Sequence, residues 1–185
     1  GPTKLQIDSF ATLTAGQAIP LLFQQPLPDP VLPIDPETGT EWVLTGTTDA
    51  NSGDSDLQEL FKGWFISQML GTGIPANNYL AYATREKIVF FLHSVFTTIQ
   101  SKVDNSRSLY FQNQFYRKFA FDKTLPAEFN IKTLIKKVSV DNAMLRLLDG
   151  NLNVNGSVNE NYGRELLELY TIGRGLEGTL PPATI

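Results

Sequence analysis

A chain of 185 residues with 42% hydrophobic and 18% charged side chains has the composition of a folded domain. It has no cysteine, which excludes disulfides, thiolate chemistry and cysteine-ligated zinc. Fifteen Lys and Arg against 19 Asp and Glu give a net charge of -4 with no basic block, which argues against a nucleic-acid partner. No run approaches the roughly 20 apolar residues that a membrane-spanning helix needs.

In chain order, Thr3 is placed to cap a helix to about Leu13, with Leu5, Phe10 and Leu13 facing inward. Thr14 can cap a second, Ala15 to Phe23, which Pro20 limits. Five prolines between Pro26 and Pro36 then forbid regular structure, apart from a hairpin arm over Thr40 to Leu44. The stretch from about 25 to 56 reads as an inserted, Pro-rich surface loop. Ser55 or Asp56 caps the next helix, whose Leu57, Leu60, Phe61, Trp64, Phe65, Gln68 and Met69 follow helical spacing until Gly71. A helix over about 84–100 is apolar on most of its circumference, the mark of a central buried element. Its polar strip is Glu86, His93, Ser94 and Thr97. Asp104 or Ser106 caps a Tyr- and Phe-rich helix to about Phe121. Asn130 to Ser139 is amphipathic, and Asp141 caps a short helix that Gly150 ends. The last helix spans 159–173, with Tyr162, Leu166, Leu169 and Tyr170 on one face, Glu160, Arg164 and Glu168 on another, and Glu165 at the border. The fold class is all-α: an irregular bundle of about eight helices around the central one, with no parallel-sheet pattern.

Three groups carry possible chemistry. His93 is the only histidine, so a general base is open to it, but no second His stands at i+3 or i+4. A single His more often has its ring nitrogens satisfied by neighbours. Asp149, Asn151, Asn153 and Asn155 place oxygen side chains two residues apart, with Glu160 beyond, a calcium-like spacing. The residue that should close such a loop is Tyr162, and Asn and Gly also dominate ordinary turns. Glu160 and Glu165, with Arg164 and Glu168 between and after them, offer paired carboxylates, or else a simple intrahelical ladder. Asn159 and Glu160 open the helix, where a carboxylate or amide gains from free N–H groups.

Several of these pieces occur together in one family. Gly1-Pro2-Thr3 with Ile7-Asp8, Glu86 to His93 with Phe96, and Asp141 to Leu145 with Leu148-Asp149 followed by the run Asn159 to Gly173 resemble the large bacterial family catalogued as domain of unknown function 1800. The third segment is the most distinctive. The resemblance covers most of the chain outside 25–56. It implies an exported or cell-surface bacterial protein, often encoded near a sulfatase-like partner, and a domain continuing beyond Ile185, of which this is an N-terminal portion. It implies no known reaction. Where the family pattern carries Trp, Asn and a second His, this chain has Leu92, Ser94 and Val95, which tells against any role that needs both histidines.

The function expected is therefore a non-catalytic helical module of an extracytoplasmic protein, working through a protein partner and through the remainder of its own chain. The alternative is a hydrolase-like pocket built from His93, Glu160, Arg164 and Glu165, with or without a metal ion. The cofactor expectation is none, with calcium at Asp149, Asn151, Asn153, Asn155 and Glu160 as the exception.

Overall fold

Thr3 and Thr14 each start a helix by exchanging hydrogen bonds with a glutamine three residues on. Thr3 Oγ1 accepts the Gln6 N–H at 3.3 Å while Gln6 Oε1 accepts the Thr3 N–H at 2.8 Å, and Gln17 Oε1 takes the Thr14 N–H at 3.0 Å. These caps open α1 (Lys4–Ala11) and α2 (Ala15–Leu22). The computed structural model describes residues 3–43, 54–121 and 130–170. It continues with α3 (Ser55–Leu70), α4 (Tyr79–Val95), α5 (Gln100–Val103), α6 (Ser106–Phe121), α7 (Ile131–Val138), α8 (Asn142–Leu147) and α9 (Glu160–Tyr170). Among the described residues there are only isolated β-bridges, Ile34 with Glu41 and Val154 with Ser157, so the fold is all-α as expected.

Several of the foreseen stops and starts are in place, but α6 is capped by Asn105, whose Oδ1 accepts the Ser108 N–H at 2.8 Å, rather than by Asp104 or Ser106. Gly71 ends α3 with φ of 69°, a left-handed conformation that glycine adopts without a Cβ penalty. Asn130 and Asp141 cap α7 and α8 by accepting the N–H groups of Thr133 and Met144. The cap of α3 is Asp54 rather than Ser55 or Asp56. Its carboxylate also accepts the backbone N–H and the hydroxyl of Ser106 at 2.8 and 2.6 Å, tying the starts of α3 and α6 together.

The most extensive helix pairing is α4 against α6, with α2 and α3 laid on α4, and α5 and α8 laid on α6. Phe61, Trp64, Val89, Leu92, Phe96, Leu109, Tyr110, Tyr116, Leu134, Val138, Met144 and Leu147 fill the core between them.

The structure corrects several expectations. The central helix begins at Tyr79 and ends at Val95, and it is not buried all round. Arg85 and Glu86 are inside, whereas Phe90 and Phe91 are 52% and 61% exposed. Counting apolar residues around the helix did not reveal which arc has partners. The Pro-rich stretch is irregular as expected, but it is not only a surface loop, because Trp42 and Val43 are buried in the core. Its free carbonyls serve as acceptors: Val31 for Trp64 Nε1–H at 2.6 Å, Pro28 for Arg85 at 2.9 Å and Val43 for Arg107 at 3.0 Å. Leu5 and Leu169 face outward. The 44–53 part of the loop, and the last residues expected in the final helix, lie outside the described residues.

Gly150 holds the passage from α8 to α9. A Cβ there would lie 2.7 Å from the Tyr162 ring and 2.9 Å from Leu145. The Tyr162 hydroxyl donates to the Ser139 carbonyl, so the ring has little freedom to withdraw. Gly150→Ala is expected to destabilise the fold by about 1–3 kcal/mol, the usual cost of overpacking, measured by urea denaturation.

Candidate functional site

Position 86 on α4 faces position 117 on α6, and both side chains are sealed from solvent. The Arg117 guanidinium donates Nη1 and Nη2 to the two carboxylate oxygens of Glu86, the second at 2.7 Å. Its Nε–H goes to Asn113 Oδ1 at 2.8 Å, and its plane lies 5.6 Å from the Trp64 ring centroid. Arg85 approaches the same carboxylate at 3.7 Å, sits over the Tyr82 ring at 4.6 Å and donates to Pro28. The Tyr82 hydroxyl in turn donates to Gln68 Oε1 at 2.7 Å.

The network continues to His93. Asn113 Nδ2 lies 3.0 Å from His93 Nε2. Since Arg117 Nε can only donate, Asn113 must present its oxygen to Arg117 and its NH₂ to the histidine. His93 Nε2 is then an acceptor, and the ring proton sits on Nδ1. The imidazole lies tilted against Phe65 at 5.2 Å and meets Tyr116 edge-on at 4.7 Å. Burial, and next the nearby Arg117 charge, push its pKa down from 6.5 to about 4, so the ring is neutral at physiological pH.

His93 lines a cavity of about 280 Å³ whose other walls include Phe61, Phe65, Phe90 and Leu109. Neither Glu160 nor Glu165 lines it. On α9 both carboxylates turn to Arg164, Glu160 at 3.8 Å and Glu165 at 3.2 Å, with Glu168 at 3.7 Å. It is the far end of α9 that meets the chain just past α4: Tyr170 stacks on Phe96 and donates to the Thr97 carbonyl at 2.9 Å. Ten residues of helix, about 15 Å, separate Glu160 from that contact. The structure thus joins His93 to Asn113 and Arg117, and gathers Glu160, Arg164 and Glu165 in a separate surface cluster.

The calcium-like loop is occupied by its own hydrogen bonds. Asp149 pairs with Lys102 at 3.0 Å. Asn153 Oδ1 accepts the Asn159 N–H at 2.5 Å, and Asn153 Nδ2 donates to the Gly150 carbonyl at 2.9 Å. Asn159 Nδ2 donates to the Asp149 carbonyl at 3.0 Å. Asn151 and Asn155 are exposed. Among the described residues no group of three or more His, Asp or Glu is placed to hold a metal ion.

A family model described as protein of unknown function (DUF1800) matches residues 1–178. The chain belongs to the DUF1800 family. No curated protein and no solved structure matches it. In this DUF1800 domain the segment from Glu86 to His93, which carried part of the resemblance, supplies both ends of the buried network. Arg85, Asn113 and Arg117 went unremarked in the sequence. Their signal was present: Asn113 and Arg117 stand at i and i+4 on the same arc of α6 as Leu109 and Tyr110, where an exposed pair would not lie.

Two outcomes test the site. Glu86→Gln is expected to cost about 3–5 kcal/mol, because it leaves the Arg117 charge buried without its carboxylate; the double variant Glu86→Leu, Arg117→Met is expected to cost less. Both are read by chemical denaturation. For His93 the folded pKa lies below the unfolded one, so only the unfolded chain takes up the proton between pH 6.5 and about 4. Its contribution to stability is present above pH 6.5 and is lost as pH falls towards 4, on the order of 3 kcal/mol in full. As the only histidine, His93 is expected to dominate a fall in melting temperature from pH 7 to 5.5, and His93→Gln to flatten it.

Proposed function

We propose that this chain is a non-catalytic helical module that docks a protein partner through the outer face of α4. The single observation that carries the reading is the inversion of that helix. Its charged residues Arg85 and Glu86 are buried, while Phe90, Phe91 and Val95 are on the outside. Large aromatic side chains grouped on one exposed face mark an interaction surface more than a solvated one. Exposed Lys87 lies one turn before Phe91, so the partner segment presents an apolar row with an acidic residue beside it.

The resemblance to an exported bacterial family supports an extracytoplasmic setting, on the cell surface or in the periplasm. Among the described residues no helix is long and apolar enough to cross a membrane. The hydrolase-like alternative needs His93 beside Glu160 or Glu165, and the cavity at His93 draws on neither glutamate.

A photoreactive phenylalanine analogue placed at Phe91, in the source bacterium, is expected to give one discrete protein adduct. Val95→Glu in the same chain is expected to abolish it without lowering the melting temperature. No adduct at Phe91, or the same adduct from a control probe at the exposed Lys4, overturns the reading.

A further inference from the structure

The surface cavity beside His93 has mostly apolar walls, with polar side chains among its lining. Phe61, Phe65, Phe90 and Leu109 supply the walls. The other polar side chains around it are already engaged. Ser94 Oγ–H donates to the Phe90 carbonyl at 2.9 Å and Thr98 Oγ1–H to Gln112 Oε1 at 3.0 Å. Gln100 Nε2 donates to the Gln58 carbonyl at 3.2 Å, and Lys62 is paired with Glu59 at 2.6 Å. His93 Nδ1 has no hydrogen-bond partner among the described residues, and the ring it belongs to lines the cavity. The orientation imposed by Arg117 through Asn113 puts the ring proton on this nitrogen.

We infer that this cavity is a binding site for a small neutral aromatic molecule bearing one hydrogen-bond-accepting carbonyl, of the benzamide or aryl ketone class. The phenylalanine walls match a flat apolar body, which prefers offset or edge-to-face contact with such rings. An apolar cavity of about 150 Å³ accommodates a benzene ring, so about 280 Å³ leaves room for one ring and a polar substituent. The Nδ1–H selects an acceptor, because a ligand with only donors would leave it desolvated and unpaired. Lys62 carries its own counter-ion, so the site has no free cation at its rim to favour a carboxylate over a neutral carbonyl.

The single histidine makes the test direct, since an imidazole-¹⁵N-labelled chain gives one pair of ring nitrogen signals. In the free protein Nδ1 is expected to be the protonated nitrogen. Benzamide is expected to shift the Nδ1–H signal saturably, and benzene to bind at least tenfold more weakly. Benzylammonium, which offers no acceptor, is expected to give no saturable shift. Phe90→Ala removes an exposed wall without touching the buried network and is expected to weaken benzamide about 3–10-fold. Protonation of Nε2 instead of Nδ1 overturns the proposal. So does the absence of a saturable benzamide shift, equal binding of benzene, or an affinity unchanged by Phe90→Ala.

Discussion

The structure depends on one buried ion pair. Taking a carboxylate and a guanidinium out of water costs several kcal/mol per ion, and their attraction offsets this only when every remaining donor and lone pair finds a partner. Between α4 and α6 that condition is met almost atom by atom. Arg117 spends two N–H groups on Glu86 and its Nε–H on Asn113, and it lays its face towards Trp64. Glu86 sits between two guanidinia, those of Arg117 and Arg85. The second cation needs its own compensation, and finds part of it in the Tyr82 ring and the Pro28 carbonyl, while its buried Nε–H has no hydrogen-bond partner among the described residues. The pair therefore reaches beyond its two helices and calls the Pro-rich segment into the core. Irregular backbone has what a helix lacks, carbonyl groups not already used within the element, and Trp64, Arg85 and Arg107 each take one.

A second consequence is polarity. A neutral histidine has two tautomers and an asparagine two orientations, but a guanidinium has no acceptor. Placing Arg117 at one end of the line Arg117, Asn113, His93 leaves a single consistent arrangement, with the free imidazole N–H directed away from the network. A charge that holds two helices together thus also sets the chemical character of a surface cavity, through an amide that touches both. The same charge helps to keep His93 neutral.

Much of this fold could be read from sequence, and the reason differs by element. Caps at Thr3, Thr14 and Asp141 were legible because capping is decided by residues three apart. The stop at Gly71 was legible because one residue type dominates the left-handed position. The orientation of α4 was not, because it turns on a partner 31 residues away in sequence. Hydrophobic periodicity treats Glu86 as a solvent residue, and only the matching Arg117 on the inward arc of α6 reverses that. Trp42 and Val43 were missed for a related reason. They sit in a stretch whose prolines announce the absence of secondary structure, and absence of secondary structure was taken for absence of burial. The place of His93 in a line of hydrogen bonds was the kind of bland role expected of a lone histidine, but its partner Asn113 carries no pattern that sequence reading would single out.

The run from Asn159 onward, the most distinctive part of the family resemblance, gains a physical account from the same reasoning. Its acids converge on Arg164 at the surface, and its tyrosines do the anchoring, Tyr162 on Ser139 and Tyr170 on Phe96 and Thr97. The loop before it needs amides in particular. Asn153 must accept from the Asn159 N–H and donate to Gly150, and Asn159 must donate to the carbonyl of Asp149. A carboxylate has no N–H to give, so aspartate at either position would face a carbonyl oxygen with another oxygen. Of the alternating oxygen side chains that resemble a cation cage, Asn153 is explained by the nitrogen at the other end of its amide, which together with Asn159 knots the turn that delivers α9 to the bundle.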